Sequence, residues 1–423
     1  MVRREAILLV AFGMLLATSV AYGVPNLTVE WQKEYREPYE LHQTCTSALQ
    51  AFDVDGDGDI EIILPFRKDS DRIVCVSGSD GSVEWIYPPM EQEPTSGDPM
   101  GAPAIGDMDG DGKYEVVFLG RSNNIYCIDG TTGAGKWIYE CEGADDAVML
   151  YDIDGDGYKE AIAQGGDNIV VVDHQGNEKW KFQLTSKIDL CPNAFDIDKD
   201  GQVEVIGADS SYVYCLSPTG VEKWRFAIGG ELNHETPIIA DFNNDGEYEI
   251  VFHAQDRYTY MLTFYGSEIW RFPVGQKYWE IDDRAGLHEG GLAAADLDGD
   301  GFLEIVDTDR MGNVYALNHD GSVLWYYKLP EEVWSGVLIG DFTGDGQLDV
   351  IVEGEENETH PIYPAGVLMV LNGATGEEEI CYPQALTAST PSAADMDGDG
   401  LVEIVAQAWS GPITALTTNA PYI

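Results

Sequence analysis

The sequence predicts an all-β fold: an eight-bladed β-propeller of four-stranded antiparallel blades, its ring closed by an N-terminal strand that completes the last blade. Three observations predict this fold. A nine-residue acidic loop recurs eight times along the 423 residues. The copies are 54, 45, 44, 45, 55, 45 and 54 residues apart, which is the length of one four-stranded propeller blade with or without an inserted loop. The last repeat lacks a fourth strand, which the N-terminal segment can supply.

The N-terminus is predicted to be a secretory signal peptide over residues 1–21. Arg3 and Arg4 precede an apolar run that begins at Ala6 and ends in the small-residue site Ser19-Val20-Ala21. This run is shorter than the roughly 20 residues needed to span a bilayer. We therefore expect no transmembrane anchor in the mature chain. The protein should be secreted or lie at the cell surface, or in the periplasm of a double-membrane bacterium, and residues 22–423 should form one propeller domain.

The repeat at residues 291–328 shows how one blade is built. A short apolar strand enters the acidic loop at Asp296, a second strand leaves it at Ile305, and two more strands follow around the turn at residues 319–322. The fourth strands carry a tryptophan at blade period: Trp85, Trp137, Trp180, Trp224, Trp270 and Trp325. A tryptophan stripe of this kind could stack on ligands, but packing between neighbouring sheets is the favoured interpretation.

The two ends of the chain predict how the ring closes. The eighth repeat ends with residues 412–416 and has no fourth strand of its own. Residues 27–35 precede the first loop and contain Trp31, the aromatic residue expected in a fourth strand. We expect this segment to complete the last blade, which removes an open sheet edge and locks the ring.

The acidic loops are predicted to bind Ca²⁺. The first runs from Asp53 to Glu61, with side-chain oxygens at positions one, three, five and nine and a glycine at position six. Hard oxygen ligands at this spacing suit Ca²⁺, so the chain could hold up to eight ions; the alternative for any one loop is a plain Asp-Gly turn. Positions one, three, five, seven and nine of the successive loops are Asp53, Asp55, Asp57, Asp59, Glu61; Asp107, Asp109, Asp111, Lys113, Glu115; Asp152, Asp154, Asp156, Tyr158, Glu160; Asp196, Asp198, Asp200, Gln202, Glu204; Asp241, Asn243, Asp245, Glu247, Glu249; Asp296, Asp298, Asp300, Phe302, Glu304; Asp341, Thr343, Asp345, Gln347, Asp349; and Asp395, Asp397, Asp399, Leu401, Glu403.

Two of these loops depart from the pattern. Asn243 and Thr343 replace the acid at position three, and Asp349 rather than a glutamate closes the second of these loops. We expect weaker calcium sites there, because each loop loses one carboxylate ligand.

The net charge limits the classes of partner that the protein can bind. The chain has 75 Asp and Glu against 23 Lys and Arg, a formal charge of −52. Such a surface repels a phosphate backbone, so nucleic acid is excluded as a partner. Within each loop like charges crowd together, and bound calcium would relieve that repulsion. Calcium is therefore expected to matter strongly for stability.

Residues 292–301, together with Gly101-Ala102-Pro103 before the second loop, resemble the FG-GAP/VCBS repeats of integrin-alpha-type propellers. The resemblance spans residues 27–416 and implies calcium at the acidic loops. Residues 128–137 are also similar to the tryptophan-docking repeats of quinoprotein-like propellers. That similarity implies a shared blade design and not a shared quinone, because the adjacent cysteines found near that cofactor are missing from this sequence. No other cofactor site is predicted.

One polar cluster is a weak candidate for catalysis. His234-Glu235 and His288-Glu289 lie seven and eight residues before their acidic loops, where the chain should face the central channel. A histidine beside a carboxylate can act as a general base or a metal ligand. A hydrated funnel whose polar groups bond one another is the favoured interpretation.

The sequence favours a secreted calcium-binding propeller that acts as a cell-surface binding or adhesion module for a glycan or protein partner. The main alternative is a polysaccharide lyase using the channel cluster, since the chain resembles rhamnogalacturonan lyases in blade count and acidic loops. A second alternative is a structural subunit of an extracellular assembly, formed by self-assembly. Catalysis is left open, with a binding role preferred.

Overall fold

The structure is a computed structural model that describes residues 27–35, 43–44, 49–67, 72–89, 101–120, 124–141, 147–186, 190–230, 232, 236–274, 291–329, 332–333, 335–354, 366–382, 390–407 and 412–421. The predicted signal peptide lies outside these residues. The described residues form strands β1 to β33 and contain no helix. Accordingly, no helical segment in this part of the chain has the length and apolarity needed to cross a membrane.

The strands fall into eight sheets, which we number as blades one to eight by their acidic loops. Blades one to four contain β2 (Gln43–Thr44), β3 (Gln50–Phe52), β4 (Glu61–Arg67), β5 (Arg72–Ser77), β6 (Val83–Tyr87); β7 (Ala104–Gly106), β8 (Glu115–Gly120), β9 (Asn124–Asp129), β10 (Gly135–Glu140); β11 (Val148–Tyr151), β12 (Glu160–Gly165), β13 (Asn168–Val172), β14 (Glu178–Gln183); and β15 (Asn193–Phe195), β16 (Glu204–Ala208), β17 (Tyr212–Leu216), β18 (Glu222–Ala227). Blades five to eight contain β19 (Ile238–Ala240), β20 (Glu249–Ala254), β21 (Tyr258–Thr263), β22 (Glu268–Pro273); β23 (Ala293–Ala295), β24 (Glu304–Thr308), β25 (Asn313–Leu317), β26 (Val323–Lys328); β27 (Leu338–Gly340), β28 (Asp349–Gly354), β29 (Val367–Asn372), β30 (Glu378–Tyr382); and β31 (Ser392–Ala394), β32 (Leu401–Gln407), β33 (Ile413–Pro421) with β1 (Thr28–Lys33).

The blades form a ring of antiparallel sheets. In blades two to seven the strands pair in chain order. In blade one both β2 and β3 pair with β4, and blade eight has the order β1-β33-β32-β31. The short first strands of neighbouring blades approach one another, including β3 of blade one and β31 of blade eight. The predicted all-β, eight-bladed propeller is confirmed.

The N-terminal strand closes the ring as predicted. β1 pairs with β33 in antiparallel register, from Thr28 opposite Thr417 to Lys33 opposite Ile413. The Nε2 of Gln32 also donates to the hydroxyl of Thr414 at 3.0 Å. The last strand of the chain is therefore covered by the first, which leaves blade eight without an unpaired edge at β33.

Burial explains why the inner and outer strands of a blade have different patterns of apolar residues in the sequence. The second and third strands are buried on both faces; all six residues of β8 are buried, for example. Such strands are continuously apolar. The fourth strands alternate exposed and half-buried residues, as in β10, because only one face packs on the neighbouring blade. The core consists of clusters that bridge adjacent blades, such as Ile206 and Val213 of blade four with Phe252 and Leu262 of blade five.

Seven of the fourth strands dock a tryptophan on the next blade. In each case the indole N–H donates at 2.6–2.9 Å to a carbonyl in the turn between the third and fourth strands of that blade. The turn glycine beneath the ring has no room for a side chain: a Cβ on Gly376, whose φ is +69°, would lie 2.6 Å from Trp325.

Blade seven has Ile380 at the tryptophan position. The fourth strand of blade eight comes from the N-terminus, so blade eight has no hairpin turn on which a tryptophan could dock. The exception thus falls at the blade whose neighbour lacks the docking surface, which supports a packing role for the other tryptophans.

Candidate metal centres

The acidic loops join the first and second strands of the blades, so all eight lie on the same face of the ring. Their backbones are alike. In every loop the glycine N–H at position six donates to the position-one aspartate at 2.9–3.1 Å. The N–H at position seven donates to the position-five aspartate at 2.8–2.9 Å. These bonds fold the chain around the carboxylates.

The loop turns at positions four and six, where φ is positive. Position six is always glycine, with φ between +84° and +98°, and its side-chain space is empty. Glycine is therefore required for the backbone conformation and not for lack of room. Position four also has positive φ, and Lys199 and Asn244 adopt it without being glycine.

The acid at position nine is buried and has two roles. One of its carboxylate oxygens accepts the N–H of position two at 2.7–3.1 Å in all eight loops. The side chains are at most 3% exposed: Glu61, Glu115, Glu160, Glu204, Glu249, Glu304, Asp349 and Glu403. A carboxylate in this position needs a partner for its second oxygen, because a buried charge is costly unless it is paired.

The carboxylates of a loop converge. In at least five of the loops, one oxygen from each of three acids lies within 4.8 Å of the others: Asp53, Asp55, Asp57; Asp107, Asp109, Glu115; Asp152, Asp154, Glu160; Asp196, Asp198, Glu204; and Asp296, Asp298, Asp300. Oxygens this close can share one ion with metal–oxygen distances of about 2.4 Å. Lys113, Phe302 and Leu401 at position seven have no side-chain oxygen, so only their main-chain carbonyls could serve as ligands.

Four loops contain a buried oxygen that fits a cation directly. The second oxygens of Glu304, Asp349 and Glu403 are inaccessible to solvent and have no hydrogen-bond partner among the described residues. One oxygen each of Asp196 and Asp395, at position one of the fourth and eighth loops, is in the same state. Unpartnered buried oxygens beside further carboxylates match the ligand set of a hard divalent cation such as Ca²⁺.

The pKa values reflect these surroundings. Burial, reinforced by the charges of the other loop acids, raises the pKa of Glu61, Glu249, Glu304 and Glu403 from 4.5 to about 7. Burial and the neighbouring Glu379 carboxyl raise the pKa of Asp349 as well. Below about pH 7 these groups therefore hold protons in the cation-free protein, and a bound metal would displace them.

A set of residues with no predicted role interrupts the fourth strands, and several of them reach the acidic loops. In every blade a β-bulge inserts one residue into the fourth strand, directly before the tryptophan or its replacement. A bulge re-aims the inserted side chain. The inserted residues, which we call the bulge residues, are in blade order Glu84, Lys136, Lys179, Lys223, Ile269, Leu324, Glu379 and Glu30.

The bulge lysines of blades two, three and four bind their own acidic loops. The ammonium of Lys136 lies 2.8 Å from Asp109 and 2.7 Å from Glu115. Lys223 lies 2.8 Å from both Asp198 and Glu204, and Lys179 contacts Asp154 and, at 2.9 Å, Glu160. Each lysine therefore joins the position-three acid to the position-nine acid of its loop.

The two loops with a substituted third position fold like the others. The Nδ2 of Asn243 donates to Glu249 at 3.0 Å, and its Oδ1 accepts the N–H of Asp245 at 2.9 Å. In the seventh loop the N–H of Thr343 donates to Asp349 at 3.0 Å. The weaker calcium affinity expected for these loops stays a prediction.

The weak catalytic candidates His234, Glu235, His288 and Glu289 lie outside the described residues. Their predicted convergence at the channel therefore stays a prediction.

A pH dependence follows from the raised pKa values. A glutamate whose pKa is higher in the folded state stabilises that state fully below pH 4.5, and this contribution is lost as pH rises through about 7. Calcium-depleted protein should therefore unfold at least about 5 °C lower at pH 8 than at pH 5.5. Thermal unfolding across this range checks it; calcium should reduce the dependence, and a depleted protein that is equally or more stable at pH 8 would contradict the assignment.

Comparison with known proteins supports the repeat assignment. A family model for the FG-GAP-like repeat matches residues 296–352, from the sixth acidic loop through the seventh. This match confirms the resemblance seen in the sequence. Lambda-carrageenases from Pseudoalteromonas sp and Pseudoalteromonas carrageenovora are 35% identical over 65 residues, which is 15% of this chain and 7% of theirs. The chain thus matches only a small part of these relatives.

Solved structures share the fold over most of the chain. The V. cholerae biofilm matrix protein Bap1 has a TM-score of 0.66 and 15% identity, covering 94% of this chain and 92% of that one. BamB from Moraxella catarrhalis has a TM-score of 0.60 and 16% identity, with coverage of 94% and 99%. The computationally designed Ika8 protein has a TM-score of 0.56 and 14% identity, with coverage of 90% and 97%. At these identities the likeness is one of fold.

Proposed function

The chain is an FG-GAP-like β-propeller of eight blades, and from this premise we propose that it is a calcium-stabilised binding module that works outside the cell. The observation that carries the calcium part is the buried second oxygen of Glu304, Asp349 and Glu403. It lies beside further carboxylates and has no hydrogen-bond partner in the part of the chain that the structure describes. Calcium would supply the missing positive partner at each of these oxygens.

Calcium has a structural role in this proposal. The position-nine acid is the first residue of the second strand in most blades, and its other oxygen holds the N–H of position two. An ion bound there ties the start of the second strand to the exposed part of the loop. Millimolar extracellular calcium is the setting in which modest-affinity sites of this kind fill, which agrees with the predicted signal peptide.

The proposed partner is a glycan or protein at the cell surface. Propellers commonly present the loops of one face for recognition, and one protein with a similar fold is the V. cholerae biofilm matrix protein Bap1. With a net charge of −52, the protein would repel an acidic polysaccharide unless bound calcium bridged the two. A neutral glycan needs no such bridge.

Binding can be tested on arrays of neutral and acidic glycans and on extracellular-matrix proteins. We expect the calcium-loaded protein to be retained by one ligand class well above an albumin control. Chelation should abolish this binding, and returning calcium should restore it together with the native circular dichroism spectrum. No retention on any surface, with the protein folded and calcium-loaded, would contradict the adhesion proposal and leave calcium binding standing.

Glycan cleavage is the second candidate, because a 65-residue segment is similar to lambda-carrageenases. If the chain cleaves polysaccharide, incubation with lambda-carrageenan or rhamnogalacturonan should release new reducing ends, and a lyase would also give an ultraviolet-absorbing unsaturated product. A variant with His234→Ala and His288→Ala is the control that tests the channel cluster. Self-assembly into an extracellular structure would instead appear as calcium-dependent light scattering.

A further inference from the structure

The eight acidic loops do not have equivalent surroundings, and the bulge residue is what separates them. In blades two, three and four it is a lysine whose ammonium lies between the position-three and position-nine acids of its own loop. In the other five blades it is Glu84, Ile269, Leu324, Glu379 or Glu30, none of which can supply a positive charge.

We propose that Lys136, Lys179 and Lys223 act as built-in cations that take the place of calcium in three consecutive loops, so that calcium fills only the other five. This inference rests on the proposed calcium binding, and it specifies how many calcium ions bind and in which loops. The five calcium loops are then those of blades five to eight and blade one, which are contiguous around the ring.

The contacts of the position-nine acids support this division. In blades two to four the second oxygen of Glu115, Glu160 or Glu204 accepts a lysine at 2.7–2.9 Å. In blades six to eight the same oxygen of Glu304, Asp349 or Glu403 has no hydrogen-bond partner among the described residues. One structural position is therefore filled by an ammonium in one set of blades and left for an ion in the other.

Electrostatics makes the two occupants mutually exclusive. A calcium ion bound by Asp154 and Glu160 would have to share both carboxylates with the Lys179 ammonium, and two cations so close repel each other strongly. To admit calcium, the lysine must leave its partners and turn into solvent. We expect the lysine loops to bind calcium at least about a hundredfold more weakly than the lysine-free loops.

The bulge residues of blades one and seven have the opposite effect on calcium binding. Glu84 lies close enough to Asp55, Asp57 and Asp59 for their charges to act on it, and the Glu379 carboxyl neighbours Asp349. An extra carboxylate beside the loop increases its demand for a cation. The same strand position thus weakens calcium binding in three blades and strengthens it in at least two.

The test is the calcium stoichiometry of the purified protein, measured by elemental analysis and isothermal titration calorimetry. We expect about five sites in the natural protein, of which the loops with Asn243 and Thr343 are the weaker two because each lacks one carboxylate ligand. Replacing all three lysines, Lys136→Met, Lys179→Met and Lys223→Met, should add about three sites of comparable affinity. The matched control is Lys181→Met, an exposed lysine on the same strand as Lys179, which should leave the number unchanged.

Two further readouts keep the proposal testable if the triple variant folds poorly. Lys179→Met alone should add one calcium site, lower the unfolding temperature in chelator and regain it in calcium. In the natural protein, chelation should speed amide hydrogen exchange in blades five to eight and one while sparing blades two to four. Eight equivalent sites in the natural protein, or an unchanged number in the lysine variants, would overturn the inference; no calcium in any form would instead overturn the proposed function.

Discussion

Removing calcium is expected to lower the unfolding temperature of the mature protein by more than about 10 °C. Each ion bound only by the folded state contributes about 2.7 kcal/mol when free calcium is 100 times its Kd. Several such sites together exceed the stability margin of a typical domain. The buried carboxylates of Glu304, Asp349 and Glu403 would also be left without a counter-charge.

Differential scanning calorimetry with calcium and with chelator measures this effect. Magnesium is the matched control: it has the same charge but demands a smaller octahedral site, so it should restore only a fraction of the loss. An unfolding temperature that is the same in calcium and chelator would mean that the acidic loops are simply turns, with their protonated acids bonded internally.

Deleting the N-terminal strand is expected to have the second large effect. A chain that begins at residue 36 loses β1, exposes the hydrogen-bonding edge of β33, and loses Trp31, whose N–H donates at 2.7 Å to the carbonyl of Gly78 in blade one. Loss of the tryptophan packing alone costs about 3–5 kcal/mol. We therefore expect the shortened chain to lose cooperative unfolding and to aggregate through the open edge.

Size-exclusion chromatography and thermal unfolding of the two chain lengths check this expectation. A synthetic peptide covering residues 27–35 should restore part of the lost stability when added back. The same peptide with Trp31→Ala is the matched control and should restore much less. A shortened chain that stays monomeric with an unchanged unfolding temperature would show that the ring does not depend on this closure.

The blades and their closure could be predicted because they repeat. Eight acidic loops at blade spacing, and a tryptophan segment ahead of the first one, are visible in the letters of the sequence. Blade seven has Ile380 in place of the tryptophan. This exception can be understood only once the strand pairing shows that blade eight has no hairpin between its third and fourth strands.

The role of the bulge residues could not be predicted in the same way. In a regular strand the residue before a tryptophan would point to the opposite face. The bulge shifts the register, so that Trp137 lies opposite Cys127 while Gly135 lies opposite Ile128, and Lys136 is freed to reach its loop. The signal was present as Lys-Trp in three successive blades, but its meaning depends on a one-residue register shift that periodicity does not show.

The buried side of the loops was equally hidden. Position nine was expected to be a ligand like positions one, three and five. It also lies in a buried strand, and one of its carboxylate oxygens accepts the N–H of position two. This double role explains why Asp349 can replace a glutamate there: its oxygen still reaches the N–H of Phe342 at 2.8 Å.

The most direct test of the account is a crystal structure of the mature protein grown with calcium, with anomalous scattering used to locate the ions. We expect calcium at the loops of blades one, five, six, seven and eight, each ion bound by the position-nine acid, and lysine ammonium groups in the loops of blades two, three and four. Ordered loops without calcium at Glu304, Asp349 and Glu403 would contradict it.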